Sequence, residues 1–316
     1  MSILVLWLLS GFAQPVDTAI SPRSAFVQVN GVRVHYLDWG GSGEPLILVP
    51  ARCDTPFVFG DLAPLLVTRY RVLGVTARGC GESGPATDGY DVDLQIRDLI
   101  GFLDVLAIDR ATFAGHSASG GKVVRLAQQH PTRVSRLVTF DIIYAGVPDE
   151  FESTFGSALA LPNASLSLES YRREFEAWEL GTWSAALEQD FLARTERAPD
   201  GSLRFRRSPP EWQRAFVDDV TEKRYHGTTV THPALFLVAD DLDRARVRRL
   251  EPTWRRQLAP MADLIARARR DQLAAYQKNG PHVRVVPLKG ASHYLFVDRA
   301  GDVADEMLRL LGQPPP

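Results

Sequence analysis

At 316 residues, with 45% hydrophobic positions and a formal net charge of −2, the chain can bury a sizeable core and suits one large domain carrying an insertion. Near-neutral charge and the lack of a basic patch interleaved with aromatics give no reason to expect a nucleic-acid partner. The sequence has no internal repeat and no low-complexity tract.

Met1 to Ala13 is almost wholly apolar, too short for a membrane-spanning helix but of the length of a signal-peptide core. Gly11 and Ala13 offer small residues at cleavage positions ahead of Gln14-Pro15, although no Lys or Arg precedes the apolar run. Residues 1–13 are therefore expected to be a signal peptide and the protein to be periplasmic or secreted, with a cytoplasmic protein as the alternative. No stable membrane insertion is expected.

Phe26 to Val29 and Val32 to Tyr36 flank Asn30-Gly31, the strongest short hairpin signal, and predict two antiparallel strands at a sheet edge. Leu46-Ile47-Leu48-Val49 reads as a buried strand running into Pro50-Ala51-Arg52-Cys53. Arg71 to Val75 is a further strand, followed by the loop Arg78-Gly79-Cys80-Gly81-Glu82-Ser83-Gly84. Val92 to Ala107 has helical spacing, and Ala111 to Ala114 is strand-like. Gly115-His116-Ser117-Ala118-Ser119-Gly120-Gly121 comes next and opens a helical stretch that stops before Pro131. After the strand Leu137 to Asp141 the rhythm breaks between Tyr144 and Thr231. Phe151 to Gly181 and Glu211 to Arg224 read as amphipathic helices there, with Trp178, Trp183 and Trp212 as packing residues. Ala234 to Ala239 ends in Asp240-Asp241-Leu242-Asp243. An Arg-rich helical stretch from Arg244 to Gln277 reads as a solvated face, and Val283 to Leu288 leads into Gly290-Ala291-Ser292-His293. Strands alternating with helices call for a parallel sheet with right-handed crossovers.

The turn at Ser117 has the setting of a nucleophile elbow, which lifts a serine oxygen clear of the sheet and needs small residues two before and two after. Gly115 meets that need, whereas Ser119 stands where the pattern G-x-S-x-G has glycine. A serine hydroxyl becomes a useful nucleophile only beside a base that a third group orients.

The order of these strands, the R-G-x-G-x-S loop, the elbow and the G-A-x-H segment resemble the α/β-hydrolase fold over nearly the whole chain outside residues 145 to 230. Pro50 to Asp141, closing in Phe140-Asp141-Ile142-Ile143-Tyr144, is similar to a bacterial group of uncharacterised hydrolases. The resemblance implies a mostly parallel eight-stranded sheet with helices on both faces. The core would be residues 24–144 and 231–312, and residues 145–230 a helical cap. It implies Ser117 as nucleophile and His293, after the last strand, as base, with His116 a packing residue. For the acid it leaves two positions open. Asp141 ends the sixth strand, while Asp241, in a cluster with Asp240 and Asp243, follows the seventh, where the usual spacing from Pro233 lands on Leu242. The oxyanion donors would be the backbone N–H groups of Ala118 and Arg52, the latter in a loop where Pro50-Ala51 replaces the usual His-Gly. Cys53 and Cys80 would lie on neighbouring loops, and in an exported protein they would form a disulfide. No H-E-x-x-H, paired Cys-x-x-Cys or phosphate-cradling loop occurs, so no metal and no organic cofactor is expected.

The function so implied is a serine hydrolase acting on a small-molecule carboxylic ester through an acyl-enzyme. Serine at position 117 argues against the haloalkane dehalogenases and epoxide hydrolases of this fold, which use Asp there. Thioesterase, lactonase and amidase chemistry remain open, as does a non-catalytic binding protein on the same scaffold.

Overall fold

The structure, a computed structural model, describes residues 20–311 apart from 52, 143–166, 180, 200, 207–209, 222–228, 241–244, 246–247 and 249–251. The expected signal peptide at 1–13 lies outside the described residues.

Ten strands are described: β1 (Arg23–Val29), β2 (Val32–Gly40), β3 (Glu44–Val49), β4 (Tyr70–Val75), β5 (Ala111–His116), β6 (Val134–Phe140), β7 (Thr195–Arg197), β8 (Leu203–Phe205), β9 (Ala234–Asp240) and β10 (Val283–Lys289). Eight form one sheet in the order β1-β2-β4-β3-β5-β6-β9-β10, and β7 and β8 form a separate ribbon. In the eight-stranded sheet β2 is antiparallel to both its neighbours, β1 and β4, and all other pairs are parallel, while β7 and β8 pair antiparallel. Asn30 and Gly31 both take positive φ, 46° and 78°, which a two-residue hairpin matched to the strand twist demands.

Alternation along the central strands sorts side chains into two cores, one on each sheet face. Ile47, Val49, Phe113 and Phe236 point to one, Leu46, Leu48, Ala114 and Leu235 to the other. The first is covered by α2 (Val92–Val105) and α3 (Ala118–Gln129) and by Tyr276 of the long α7 (Pro252–Asn279). The second is covered by α1 (Ala63–Leu66), α8 (Leu295–Asp298) and α9 (Ala300–Leu311). Asp91 caps α2, accepting from the N–H groups of Asp93 and Leu94.

Between β6 and β9 the described residues form α4 (Leu168–Glu179), α5 (Ala185–Arg194), the β7–β8 ribbon and α6 (Pro210–Thr221). Residues 151–166 of the expected first helix fall outside the described residues, and the sequence reading missed both α5 and the ribbon. α5 begins where Ser184 accepts from Leu187 N–H, and it buries Leu187 and Phe191 at helical spacing. Phe175 and Leu187 join the second core, so this segment packs on the sheet's own hydrophobic layer.

β4 lies beyond β3 on one side and β5 beyond it on the other, so consecutive connections leave β3 in opposite directions. The crevice at the carboxyl ends of β3 and β5 is thus a topological switch point, the place where open α/β sheets bind ligands. Cys53 after β3 is joined to Cys80 after β4 by a disulfide. The β4 loop is anchored from beneath by fully buried Arg78, whose Nε and Nη2 meet both carboxylate oxygens of Asp98 on α2 at 2.6 and 2.7 Å. Closing a chain segment of 27 residues is worth on the order of 3 kcal/mol through lost unfolded-state entropy. Reduction, or replacement of both cysteines by Ala, should therefore lower unfolding stability in urea by roughly 2–4 kcal/mol. Identical denaturation curves with and without reductant would show that the bridge does not form.

Candidate active site

Ser117 sits between β5 and α3 with φ 55° and ψ −121°, a backbone conformation that a non-glycine residue holds only when its surroundings impose it. Its N–H donates to the Phe140 carbonyl at 2.9 Å, and its own carbonyl accepts from Gly120 N–H at 2.9 Å. A Cβ on Gly115 would stand 2.2 Å from the Ser119 carbonyl oxygen, which explains the glycine there. The departure from G-x-S-x-G also has a structural use. The Ser119 hydroxyl, fully buried, donates to the Pro50 carbonyl at 2.7 Å and accepts from Lys122 Nζ at 3.2 Å. Burial lowers the Lys122 pKa to about 8 against the opposing pull of Asp219 and Asp98. Lys122 had no sequence signal beyond its place in the elbow helix.

His293 follows β10. Its Nδ1 lies 2.6 Å from Asp141 Oδ2, and its carbonyl accepts from His116 Nε2 at 3.0 Å. The two imidazole rings pack at 4.6 Å between centroids. His116, the residue before Ser117, therefore both packs against His293 and ties its backbone to the elbow. Burial lowers the His116 pKa and keeps the ring neutral, so with Nε2 as its donor the buried Nδ1 carries no proton, and it has no hydrogen-bond partner among the described residues.

Asp141 begins the turn after β6 at φ 48°, with no exposed surface. Its second oxygen, Oδ1, accepts from Ala239 N–H at 3.0 Å and lies 3.4 Å from Arg269 Nη1. Burial pushes this carboxyl up, but Arg269, His293 and the Ala239 N–H outweigh it and hold it at about 2. Of the competing acids, Asp240 is exposed at the end of β9, while Asp241 and Asp243 lie outside the described residues. Arg269 corrects the reading of α7 as a solvated arginine face. Arg267 and Arg270 are exposed, whereas Arg269 is buried and also donates to the Ala239 carbonyl at 3.2 Å.

Ala118 is buried at the first position of α3, where a backbone N–H is left without an intrahelical partner. Arg52 lies outside the described residues; Ala51 and Cys53 beside it are described, and Ala51 is buried. Among the described residues no group of three or more His, Cys, Asp or Glu is placed to hold a metal ion. No described helix is long and apolar enough to cross a membrane.

Removing one partner of a buried ion pair strands the other, at a cost of about 3–5 kcal/mol. Arg269→Met should destabilise the protein by that order at neutral pH. Asp141, depressed in the folded state, contributes stability above its unfolded pKa of 3.8 and loses it as the pH falls through about 2. The deficit of the variant should therefore shrink as urea titrations are taken down toward that pH. A deficit independent of pH would mean that Arg269 does not act through Asp141.

The profile of the alpha/beta hydrolase family matches residues 46–306. N-formylmaleamate deformylase of Pseudomonas putida is 37% identical over 117 residues, a stretch that spans 36% of this chain and only 43% of that protein. Epoxide hydrolase A of Mycobacterium tuberculosis is 26% identical across 92% of this chain and 98% of its own length. Among solved structures, E-2-(acetamidomethylene)succinate hydrolase superposes with a TM-score of 0.72 at 17% identity, covering 92% of this chain and all of that one. With the sheet, the elbow and the match over most of its length, the chain belongs to the alpha/beta hydrolase family.

Proposed function

We propose that the protein is a serine hydrolase that cleaves a carboxylic ester of a small molecule through an acyl-enzyme on Ser117. The 2.6 Å contact between His293 Nδ1 and Asp141, with the His293 backbone pinned beside the elbow, carries this reading. A proton on Nδ1 held by the carboxylate leaves Nε2 as the basic nitrogen. In the proposed cycle Nε2 takes the Ser117 proton as the oxygen attacks the acyl carbon, then returns it to the departing alcohol. Water, deprotonated by the same nitrogen, releases the acid. The N–H groups of Ala118 and Arg52 would receive the oxyanion. Asp141 stays ionised throughout and stabilises the imidazolium, a role that its carboxyl held at about 2 supports.

The same acyl-enzyme serves thioesters, lactones and amides, and the leaving group alone separates those readings. The likeness to an epoxide hydrolase is not carried over, because that chemistry uses a carboxylate nucleophile in this fold and position 117 is serine. A disulfide between Cys53 and Cys80 favours an oxidising compartment, which supports export as part of the proposal.

Labelling by a fluorophosphonate should modify Ser117, and p-nitrophenyl esters of graded chain length should be hydrolysed. Ser117→Ala and His293→Ala should each remove most activity, and the double variant should be little worse, because residues acting as a unit are strongly non-additive. Asp141→Asn should lower kcat by on the order of 10⁴ in a folded protein. Asp240→Asn, Asp241→Asn and Asp243→Asn should be mild. A crippling Asp241→Asn beside a near wild-type Asp141→Asn would move the acid to the seventh-strand loop. A chain that neither takes up the probe nor hydrolyses any acyl substrate would be a binding protein on this scaffold.

A further inference from the structure

His293 lies between β10 and α8, and the residues on both sides of it are tied to the segment that joins β6 to β9. Before it, Ser292 N–H donates to Asp298 Oδ2 at 2.8 Å, and the other Asp298 oxygen accepts from Thr182 N–H at 2.9 Å. The two stretches of chain run close there, since a Cβ on Gly181 would stand 2.9 Å from Ser292 Oγ. After it, Tyr294 Oη donates to Asp54 Oδ2 at 2.9 Å, and Asp54 Oδ1 accepts from Nη1 of Arg194, the last residue of α5, at 2.8 Å. Arg194 Nη2 donates to Tyr171 Oη on α4 at 2.6 Å, and its Nε lies 2.8 Å from Asp190 Oδ2. The other Asp190 oxygen accepts from both the N–H and the hydroxyl of Thr55, at 2.7 and 2.8 Å. The Tyr294 ring also packs on Phe175 of α4, at 5.0 Å between centroids, and on His116 at 4.8 Å.

From the ends of β5 and β6, His116 holds the His293 carbonyl and Asp141 holds Nδ1. The ties on residues 292 and 294 run instead through Asp298 and Asp54 to Thr182 and Arg194. Asp298 accepts two backbone N–H groups at once, and charge-assisted bonds of that kind fix the spacing of the segments that they join. The Asp54 and Asp190 side chains are 8% and 2% exposed and that of Arg194 is 13%, so the network behind Tyr294 is little screened by water. One guanidinium there meets two carboxylates and a phenol, which the point charge of a lysine could not do in one plane. The imidazole needs such a frame. Its Nδ1 stands 2.6 Å from Asp141, and a displacement of about 1 Å away from it would leave no hydrogen bond.

We propose that Tyr294 and Asp298 are positioning residues for His293, and that the segment between β6 and β9 acts through them as part of the frame of the base. This rests on the reading of His293 as the general base of an acyl-enzyme mechanism. A misplacement of about 1 Å costs on the order of 10²-fold in turnover, because proton transfer needs aligned partners. Substrate binding needs no proton transfer, so KM should stay within a few-fold.

The variants are Tyr294→Phe, which removes one hydroxyl and keeps the ring, Asp298→Asn, which can accept only one of the two N–H groups, and both together. Each is assayed on a p-nitrophenyl ester of wild-type preference, and the His293 Nδ1 proton is followed by ¹H NMR in water. We expect kcat to fall roughly tenfold in each single variant and on the order of 10²-fold in the double, with KM within a few-fold. The Nδ1 proton should exchange with water faster in the same order. Tyr294→Phe decides the matter if Asp298→Asn does not fold. Wild-type kcat or an unchanged Nδ1 signal in the folded variants would overturn the proposal, as would losses confined to KM and melting temperature. A wild-type protein that fluorophosphonate does not label at Ser117 would instead overturn the serine hydrolase reading beneath it. In that case the response of the Nδ1 signal still decides whether Tyr294 and Asp298 position the imidazole.

Discussion

A serine held at φ 55° between a strand and a helix is the constraint around which this molecule is arranged. A non-glycine residue in that conformation costs on the order of 1–3 kcal/mol and persists only where neighbours over-determine it. Here they do. The N–H of Ser117 is fixed to β6 by the Phe140 carbonyl, its carbonyl to the first turn of α3, and the turn closes tightly because Gly115 has no Cβ to meet Ser119. The parallel sheet supplies the rigidity. β5 and β6 are buried along their whole length, so the elbow cannot relax without moving the core on both faces. The same sheet brings the ends of β6, β9 and β10 together, where Asp141, the Ala239 N–H and His293 meet.

What holds the loops beyond those strand ends is buried charge. Arg78 with Asp98, Arg269 with Asp141, and Arg194 with Asp54 and Asp190 each sit beneath a different loop at that edge. Such pairs are weak contributors to net stability, since desolvation offsets most of their attraction, yet breaking one is costly. Their value lies in geometry. A guanidinium in a fixed fork allows the carboxylates it meets few alternative positions. Asp141 illustrates the point. With Oδ1 held by the Ala239 N–H and Arg269, Oδ2 is left facing His293 Nδ1.

Much of this was legible in the sequence, because strands, turns and the elbow write local patterns. Asn30-Gly31 announces its hairpin, the apolar runs announce the buried strands, and small residues around Ser117 announce the turn. The acid was ambiguous because β6 and β9 are neighbouring parallel strands, so Asp141 and Asp241, which follow them in sequence, are both candidates from the sequence alone. Only the hydrogen bond to His293 shows which carboxylate of the described residues touches the imidazole. Arg269 and Arg194 were not legible. Helical periodicity marks an arginine as surface, and the partners that overrule it, Asp141 and Asp54, lie 128 and 140 residues away in sequence. α5 was missed for a related reason. Its buried stripe includes Asp190, a polar residue whose satisfaction comes from Thr55 and Arg194 and interrupts the apolar period.

Two departures from the fold's sequence pattern looked independent in the sequence, serine for glycine at 119 and Pro50-Ala51 for His-Gly. In the structure they touch, since the Ser119 hydroxyl donates to the Pro50 carbonyl. A glycine at 119 could fill the same tight turn but has no hydroxyl to offer, and the carbonyl of Pro50, a buried residue directly after β3, would lose that partner at a cost of about 1–3 kcal/mol. Lys122, donating to the same hydroxyl, fixes its proton toward Pro50 and so sets the direction of the bond. Ser119 and Lys122 of the elbow helix thereby hold the start of the loop after β3 at the Pro50 carbonyl, while Arg194 holds the same loop at Asp54. Each departure makes physical sense only beside the other, as one altered way of holding the same loop.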